Sequence, residues 1–310
     1  MVKVFINGGA GTTGLRIVER LSVRDDVELI SIPDECRKDP VEVKKRIEMS
    51  DVTFLCLPDA AAIEAVALAE GSGAKIIDTS TAHRTNDDFA YGFAELSNEH
   101  REKIKNGYRI AVPGCHASGF IALMYPMVKN GFVSKDANIT CFSLTGYSGG
   151  GKSMIADYQN DEREEELSSP RIYALSQNHK HLKEMAYVTG LKNPPVFSPI
   201  VADYYSGMVV SIPLTKDMCK ATPKEISDMF KSHYEGQPLI NVKDYDPEQT
   251  GMIGSNNLSM RDSMEIMVCG NDDRFTLHAR FDNLGKGASG AAIQCFNIMT
   301  GQDETKGLVL

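Results

Sequence analysis

A glycine-rich turn near the start of the chain constrains the fold more than any other feature. A short apolar run, Val4–Ile6, precedes this turn, and an amphipathic segment, 15–21, follows it. The order predicts a strand, a tight turn and a helix, because glycine lets the backbone bend sharply and approach a ligand closely. The glycines that match the G-x-G-x-x-G spacing are Gly9, Gly11 and Gly14. In this context the motif predicts that the first helix amides bind the pyrophosphate of a dinucleotide.

The rest of the first half alternates apolar and helical segments. Strands are predicted at Val27–Ile32, Val52–Leu57 and Ala74–Ile77, with helices near Pro40–Met49 and Ala60–Ala69 between them. Such alternation is typical of βαβ units and predicts a parallel sheet. Together with the glycine turn, it predicts an α/β fold containing a Rossmann dinucleotide-binding domain.

Charged residues after the second predicted strand bear on the choice of dinucleotide. Asp34 stands about where an acid holds the ribose hydroxyls of NAD. Arg37 and Lys38 follow it and are suited to bind the 2′-phosphate of NADP. The alternative is that all three are solvated loop charges. The two cations favour NADP(H).

The pattern changes in the second half of the chain. Alternation typical of half-buried strands appears at 138–145, 207–214, 264–268 and 275–281. Gly270–Asp273 predicts a hairpin between the last two, and Thr222–Glu225 predicts a helix start with a capping box. These features predict an α+β domain with an antiparallel sheet and helices on one face.

Composition narrows the class of protein. The chain has 310 residues, enough for two domains, and a net charge of −9 with no long basic run. We therefore expect no nucleic acid and no membrane surface as main partner, whereas small anionic substrates stay possible. The seven cysteines contain no C-x-x-C pair, which favours a reducing cytoplasm and no bound metal. No apolar stretch reaches membrane-spanning length, and the first residues read as a strand rather than a signal peptide.

A candidate nucleophile lies on a Pro-Gly turn before an apolar helical segment. Cys115 follows Pro113 and Gly114, and Phe120–Met124 continues the segment. The first amides of a helix carry partial positive charge, which stabilises a thiolate over a thiol. The thiolate is the nucleophilic form of cysteine. A buried structural cysteine is the alternative that this segment alone leaves open.

Three further clusters contain chemically useful residues. Segment 145–152 ends in Lys152 and is suited to hold a phosphate or carboxylate, or else forms a flexible turn. A helix is predicted to begin at Asn178; on it His181 and Glu184 share a face, whereas His179 points elsewhere. A carboxylate behind an imidazole supports acid–base catalysis, although the histidines can equally be surface residues. The glycines of 282–294 either serve a ligand or pack the last helix closely.

Together these segments resemble the N-acetyl-γ-glutamyl-phosphate reductase family in its shorter, type 2 form, and more distantly aspartate-semialdehyde dehydrogenase. The chain departs from the family signature at His116 and Ser118, where an aromatic residue and a threonine are more usual. The segments that carry the resemblance are Gly11–Gly14, Asp78–Arg84, Tyr91–Phe93, Pro113–Cys115, Ser148–Lys152, His179–His181 and Asp282–Gly290.

The resemblance implies a discontinuous NADP-binding Rossmann domain, 1–115 and 283–310, and a glyceraldehyde-phosphate-dehydrogenase-like α+β domain, 116–282, for catalysis and oligomerisation. A homodimer or homotetramer is expected. The implied reaction is NADPH-dependent reductive dephosphorylation of N-acetyl-γ-glutamyl phosphate to N-acetyl-glutamate semialdehyde, a step of arginine biosynthesis that releases inorganic phosphate. Two alternatives stay open: the same chemistry on aspartyl or N-acetyl-aminoadipyl phosphate, and a catalytically silent NADP-binding protein.

The resemblance also implies roles for individual residues. Cys115 forms a thioester, and His179 or His181 acts as acid and base. Helix geometry favours His181 with Glu184 as its partner. The position of His179 at the helix entrance nevertheless makes His179 the slightly preferred acid and base. The residues implied for the cofactor are Gly9, Gly11, Thr12, Thr13, Gly14, Arg37, Lys38, Asn283, Gly285 and Gly287. Those implied for the substrate are Arg84, Ser148, Gly149 and Lys152.

Overall fold

The computed structural model describes residues 1–310, which divide into two compact units. The first unit comprises Met1–Gly114 and Ala288–Leu308, and the second comprises Cys115–Gly287 and Val309–Leu310. The boundaries expected from the sequence place Cys115 and residues 283–287 in the first unit instead. None of the helices combines the length and apolar character needed to cross a bilayer.

The first unit contains a six-stranded sheet in which all neighbouring strands are parallel. Its spatial order is β2-β1-β3-β4-β6-β5, where the strands are β1 (Val2–Asn7), β2 (Val27–Ile30), β3 (Val52–Leu55), β4 (Lys75–Asp78), β5 (Ala90–Tyr91) and β6 (Arg109–Ala111). β2 and β3 each end two residues before the predicted strand end. The predicted parallel sheet is therefore confirmed, and only the ends of its strands differ.

Five helices belong to this unit: α1 (Thr12–Ser22), α2 (Pro40–Met49), α3 (Asp59–Leu68), α4 (Asn98–Asn106) and α9 (Gly290–Met299). Every residue of α9 is buried, and its Ile293 and Phe296 join a core with Phe54 and Ile77 of the sheet. The last helix of the chain thus completes the core of the unit that begins with the first strand.

The second unit contains a seven-stranded sheet with the order β11-β12-β13-β10-β7-β9-β8. Its strands are β7 (Thr140–Gly146), β8 (Arg171–Ile172), β9 (Val196–Ala202), β10 (Met208–Thr215), β11 (Ile240–Val242), β12 (Met264–Gly270) and β13 (Arg274–Phe281). The prediction of an antiparallel sheet is wrong for two pairs, because β7 pairs with β9 and β11 with β12 in parallel. Parallel neighbours need a long crossover, and the chain between β7 and β9 supplies one. The predicted hairpin joins β12 to β13.

The helices of this unit are α5 (Cys115–Lys129), α6 (Gly151–Gln159), α7 (His181–Thr189) and α8 (Pro223–His233). α8 begins with the predicted capping box of Thr222 and Glu225. α5 is almost wholly buried and packs against the sheet at Gly119, where a Cβ would lie 2.5 Å from a methyl carbon of Val210. This close approach seats the helix that begins at Cys115.

Candidate active site

The glycine turn of the first unit forms a cradle at the start of α1. Gly8 has φ +88°, and a Cβ there would overlap the carbonyl oxygen of Cys56, so the position requires glycine. The amide of Leu15 bonds to the carbonyl oxygen of Gly11 at 2.8 Å, which starts the helix. The first turn of α1 contains Thr12, Thr13 and no acidic residue. Its amides therefore present partial positive charge, the property that binds phosphate.

A cavity of about 500 Å³ lies beside this turn. Its lining is Phe5–Gly11, Val18, Leu29–Ile32, Asp34, Arg37, Lys38 and Cys56–Pro58. Most of the wall is apolar. In its charged part, one Nη of Arg37 lies 3.9 Å from a carboxylate oxygen of Asp34. The structure thus brings Gly9, Gly11 and the two predicted cations to one cavity, and the apolar walls with cationic residues fit an adenine nucleotide.

The other residues implied for the cofactor lie in the second unit and are engaged there. The buried side-chain amide of Asn283 accepts a hydrogen bond from the backbone N–H of Gly207 at 2.9 Å. It donates one to the hydroxyl of Ser148 at 3.0 Å. A Cβ on Gly285 would overlap the carbonyl oxygen of Arg261, and one on Gly287 would lie 3.0 Å from the Cβ of Cys115. These contacts explain why the boundary expected from the sequence is shifted, since residues 283–287 pack within the second unit.

Arg84 is buried in the loop between β4 and β5. Its Nε donates to the carbonyl oxygen of Val112 at 2.8 Å, and its Nη2 donates to that of Thr79 at 2.9 Å. Nearby, the buried carboxylate of Asp78 lies 2.7 Å from Nδ1 of His83. Arg84 therefore ties the residues before Pro113 to the loop after β4.

The segment 145–152 forms the turn between β7 and α6. Ser148 is buried, and its amide donates to the carbonyl oxygen of Tyr205 at 3.0 Å. Gly149 and Lys152 are exposed, and Lys152 lies in the first turn of α6. The lysine is thus placed where its charge adds to the positive end of a helix.

Cys115 is the first residue of α5 and is half-buried. The first turn of the helix contains no acidic residue. An ionised sulfur at this position faces the positive end of a 15-residue helix, which stabilises the thiolate.

Three imidazole rings cluster next to this helix start. The ring centroid of His116 lies 5.6 Å from that of His179 and 5.6 Å from that of His181. The latter two rings lie 4.7 Å apart, and Phe197 packs against His116 and His179 at 5.3 Å. The prediction that His179 points elsewhere is wrong, because α7 begins at His181 rather than at Asn178.

The loop before α7 is held in place by one side chain. The side-chain amide of Gln177 donates to the backbone carbonyl oxygen of Phe197 at 2.8 Å. It also accepts a hydrogen bond from the backbone N–H of Phe197 at 2.9 Å. Gln177 itself has φ +55°, and Ala174 has φ +53°, an uncommon conformation for residues other than glycine. The paired hydrogen bonds offset this strain and direct the loop so that His179 reaches the other rings.

The protonation of His179 follows from its contacts. Burial, and then the charge of Lys180, lowers the pKa of His179 to about 4, so the ring is neutral at neutral pH. Its Nδ1 lies 3.1 Å from the amide of His181 and accepts that hydrogen bond. The proton of the neutral ring therefore resides on Nε2, which makes His179 a hydrogen-bond donor at that atom. His181 and Glu184 are both buried on α7.

Sequence reasoning missed two hydroxyls that contact His116. Nδ1 of His116 lies 2.6 Å from the hydroxyl of Ser143, and its Nε2 lies 2.6 Å from that of Tyr173. Burial, and then the neighbouring His179, lowers the pKa of His116 to about 3. Burial, and then the charge of Cys115, raises the pKa of Tyr173. The only sequence signal was the unusual histidine beside Cys115.

Comparison with known proteins agrees with this division. Residues 3–106 match the family model for the NAD binding domain of semialdehyde dehydrogenase, and residues 115–283 match its dimerisation domain. The chain is 42% identical to N-acetyl-gamma-glutamyl-phosphate reductase 2 of Nostoc sp., over 99% of both chains. It is 40% identical to N-acetyl-gamma-glutamyl-phosphate reductase of Brucella anthropi, over 97% of this chain and 99% of that protein.

The chain belongs to the N-acetyl-gamma-glutamyl-phosphate reductase family.

Solved structures extend the likeness to more distant proteins. Aspartate semialdehyde dehydrogenase from Francisella tularensis matches with a TM-score of 0.73 at 15% identity, over 97% of this chain and 100% of that one. The enzyme from Candida albicans, determined with NADP, matches with a TM-score of 0.66 at 16% identity, over 97% and 98%. This N-acetyl-gamma-glutamyl-phosphate reductase family member thus shares the fold of these enzymes, and the predicted fold class is confirmed.

Proposed function

We propose that the protein reduces N-acetyl-γ-glutamyl phosphate to N-acetyl-glutamate semialdehyde with NADPH and releases inorganic phosphate. One observation carries the proposal: a half-buried cysteine begins a buried helix beside a cluster of three histidines. Full-length identity of 42% to a reductase of that name supports the substrate class. In this account the protein serves arginine biosynthesis.

Cys115 is the nucleophile in this proposal. Its thiolate attacks the acyl carbon; a carbon–sulfur bond forms, the bond to the phosphate oxygen breaks, and inorganic phosphate leaves. The product is a thioester, which accepts hydride far more readily than a carboxylate does. Covalent catalysis thereby divides one difficult reduction into two easier steps.

The first unit holds the cofactor in this proposal. The turn at Gly9, Gly11 and Gly14, with the amides of Thr12 and Thr13, binds the pyrophosphate. The two cations that line the cavity, Arg37 and Lys38, bind the 2′-phosphate. The reduced nicotinamide supplies the hydride that converts the thioester to a thiohemiacetal.

The two histidines of the α7 region have different parts in this proposal. His179 donates a hydrogen bond from Nε2 to the developing oxygen anion and keeps its proton, since its Nδ1 accepts a backbone amide. His181, with Glu184 as its partner, takes the proton of the Cys115 thiol, gives it to the oxygen anion of the thiohemiacetal, and takes it back when the thiohemiacetal collapses. The carbon–sulfur bond then breaks, the aldehyde leaves and the Cys115 thiolate returns.

The substrate's anionic groups are assigned to the turn after β7. Lys152 offers an exposed cation in the first turn of α6, and the exposed Gly149 and the hydroxyl of Ser148 precede it in the same turn. Arg84 is buried and donates to two carbonyl oxygens, so we assign it the support of the Pro113 turn. We assign supporting parts to three further residues: Gly287 packs against Cys115, Gly285 packs against Arg261, and Asn283 joins Gly207 to Ser148.

The second unit matches a dimerisation domain, and we propose a homodimer or homotetramer in the cytoplasm. The net charge of −9 supports small molecules rather than nucleic acid or a membrane surface as partners.

The reverse reaction tests the function directly. Purified protein receives N-acetyl-glutamate semialdehyde, phosphate, and NADP or NAD, and the absorbance of the reduced nicotinamide is followed. We expect phosphate-dependent reduction of NADP, faster than with aspartate semialdehyde or N-acetyl-aminoadipate semialdehyde.

Cys115→Ala is expected to lose at least about 10³-fold in kcat and to keep cofactor binding. Cys269→Ala, which removes another half-buried thiol of the second unit, is the control. Reduction that needs neither phosphate nor Cys115 would refute the proposal.

A further inference from the structure

A buried imidazole in the loop between β4 and β5 has one nitrogen that nothing in the chain binds. His83 is 7% exposed, and its Nδ1 lies 2.7 Å from Oδ2 of Asp78, which is fully buried. The ring also stacks on Phe89, with centroids 4.3 Å apart and planes 8° from parallel. These are the polar and ring contacts of His83, so its Nε2 makes no hydrogen bond within the chain.

Asp78 determines which nitrogen of His83 carries the proton. The carboxylate accepts hydrogen bonds from the backbone N–H of Ser80 at 2.9 Å and from the Ser80 hydroxyl at 2.7 Å. An ionised carboxylate only accepts hydrogen bonds, so Nδ1 of His83 donates to it. The neutral ring therefore has its lone pair on Nε2, and the carboxylate behind Nδ1 makes Nε2 a stronger acceptor.

The loop after β4 is fastened to a wall of the nucleotide cavity. That wall is the segment Cys56–Pro58. At one end of the wall, the backbone N–H of Thr79 donates to the carbonyl oxygen of Leu55 at 2.9 Å. At the other end, the backbone N–H of Thr81 donates to the carboxylate of Asp59 at 2.9 Å. The loop therefore runs beside the wall along its whole length.

The strand order indicates which half of the cofactor reaches this loop. The strands β2, β1, β3 and β4 are parallel neighbours, so the segments that follow them lie in that order along one edge of the sheet. Arg37 and Lys38, assigned to the 2′-phosphate, follow β2, and the glycine turn, assigned to the pyrophosphate, follows β1. The adenosine half accordingly belongs toward β2 and the nicotinamide half toward β4. Two strand spacings, about 10 Å, separate β1 from β4.

We propose that His83 binds the nicotinamide nucleoside of NADP(H), with Nε2 accepting a hydrogen bond from it. The donors that this nucleoside offers are its ribose hydroxyls and the N–H of its carboxamide. Asp78 acts through the imidazole and is a positioning residue. The proposal deepens the proposed function, since it concerns the cofactor of the same reaction.

Equilibrium binding tests the proposal without substrate or turnover. Calorimetry measures the Kd of NADPH and that of 2′,5′-ADP, which contains the 2′-phosphate and no nicotinamide. His83→Asn is the decisive variant, because an asparagine N–H takes the place of Nδ1 and can still donate to Asp78, whereas Nε2 is lost. We expect the Kd of NADPH to rise about fivefold to tenfold, the equivalent of one hydrogen bond, and that of 2′,5′-ADP to change less than about twofold.

Two control variants accompany His83→Asn. His100→Asn replaces a half-buried histidine on α4 of the same unit, and both Kd values are expected to stay unchanged. Arg37→Ser is expected to raise both, because the two ligands share the 2′-phosphate. A rise confined to NADPH therefore locates the lost contact in the nicotinamide half.

Chemical modification gives a second readout on the unsubstituted protein. Diethyl pyrocarbonate acylates an unprotonated imidazole nitrogen, which for His83 is Nε2, and trypsin releases this residue in the peptide 76–84, whose only histidine it is. NADP at about ten times its Kd should slow the labelling of His83 by about tenfold, since only the free protein reacts. We expect 2′,5′-ADP to leave this labelling unchanged, and neither ligand to alter that of His100.

An unchanged Kd of NADPH in folded His83→Asn would overturn the proposal, as would an equal loss for both ligands. If this variant fails to fold, the labelling decides: protection of His83 by 2′,5′-ADP, or no protection by NADP, is a refutation. A protein that binds neither ligand refutes the cofactor assignment and this proposal with it. Failure of the reductase assay alone leaves the binding and labelling results valid, so the two proposals fail separately.

Discussion

Arg37 and Lys38 are the residues on which the choice of dinucleotide depends. Arg37 is half-exposed and lies 3.9 Å from Asp34, which is itself almost fully exposed. An exposed pair at this distance contributes little to stability. The guanidinium is therefore available to a bidentate phosphate, which it binds in preference to a neutral ribose.

Replacing Arg37 is predicted to change cofactor preference. Arg37→Ser should raise the KM for NADPH by about tenfold to 100-fold, the equivalent of one lost charge-assisted hydrogen bond or two. The KM for NADH should change little. Initial rates at varied cofactor concentration measure both, with Lys45→Ser on α2 as a control. An equal rise for both cofactors would show that Arg37 does not contact the 2′-phosphate.

Single residues were predictable where their chemistry is local. The glycine turn and Cys115 can each be recognised from a few neighbouring positions in the sequence. The contacts of His116 do not, because Ser143 and Tyr173 lie 27 and 57 residues away along the chain. Ser143 and Tyr173 both lie beside Pro199 of β9, and the packing of α5 brings His116 to their hydroxyls.

Helix α5 contains a proline, and the structure compensates for it. Pro126 has no N–H, so the carbonyl oxygen of Ala122 loses its helical hydrogen bond. The hydroxyl of Tyr234, at the end of α8, donates to this oxygen at 2.7 Å. The bond satisfies a buried carbonyl within the helix that begins at Cys115.

Removing this hydroxyl is predicted to destabilise the protein. Tyr234→Phe should lower the free energy of unfolding by about 1–3 kcal/mol, because the buried carbonyl is left unpaired. Adding Pro126→Ala should recover most of the loss by restoring an amide at the helical position. Urea denaturation measures both, with the exposed Tyr108 as a Tyr→Phe control. Equal stability of Tyr234→Phe and the unsubstituted protein would contradict the account, as would no recovery.

Elements were predicted well where caps or periodicity mark them. The capping box at Thr222 and the hairpin at Gly270–Asp273 are confirmed. The predicted start of α7 was wrong by three residues, because the side chain of Gln177 binds the backbone of Phe197 and thereby keeps the preceding loop out of the helix. That pairing is a tertiary contact with no local signature.

At the scale of the whole molecule, the chain builds two units and returns to the first at its end. The alternation of strands and helices predicted the parallel sheet of the first unit. It did not predict the parallel pairs of the second, because strand order depends on crossovers that sequence periodicity does not encode. The proposed function requires both units: Cys115 of the second would carry the acyl group, and the cofactor bound by the first would supply the hydride.

The most direct test of that claim is the mass of the acylated enzyme. Protein is mixed with N-acetyl-γ-glutamyl phosphate without reduced cofactor, quenched in acid, and mapped by peptide mass spectrometry. We predict one N-acetyl-glutamyl group on the Cys115 peptide, lost when NADPH is added before the quench and absent in Cys115→Ala. An enzyme that turns over while its Cys115 peptide stays unmodified would contradict the account.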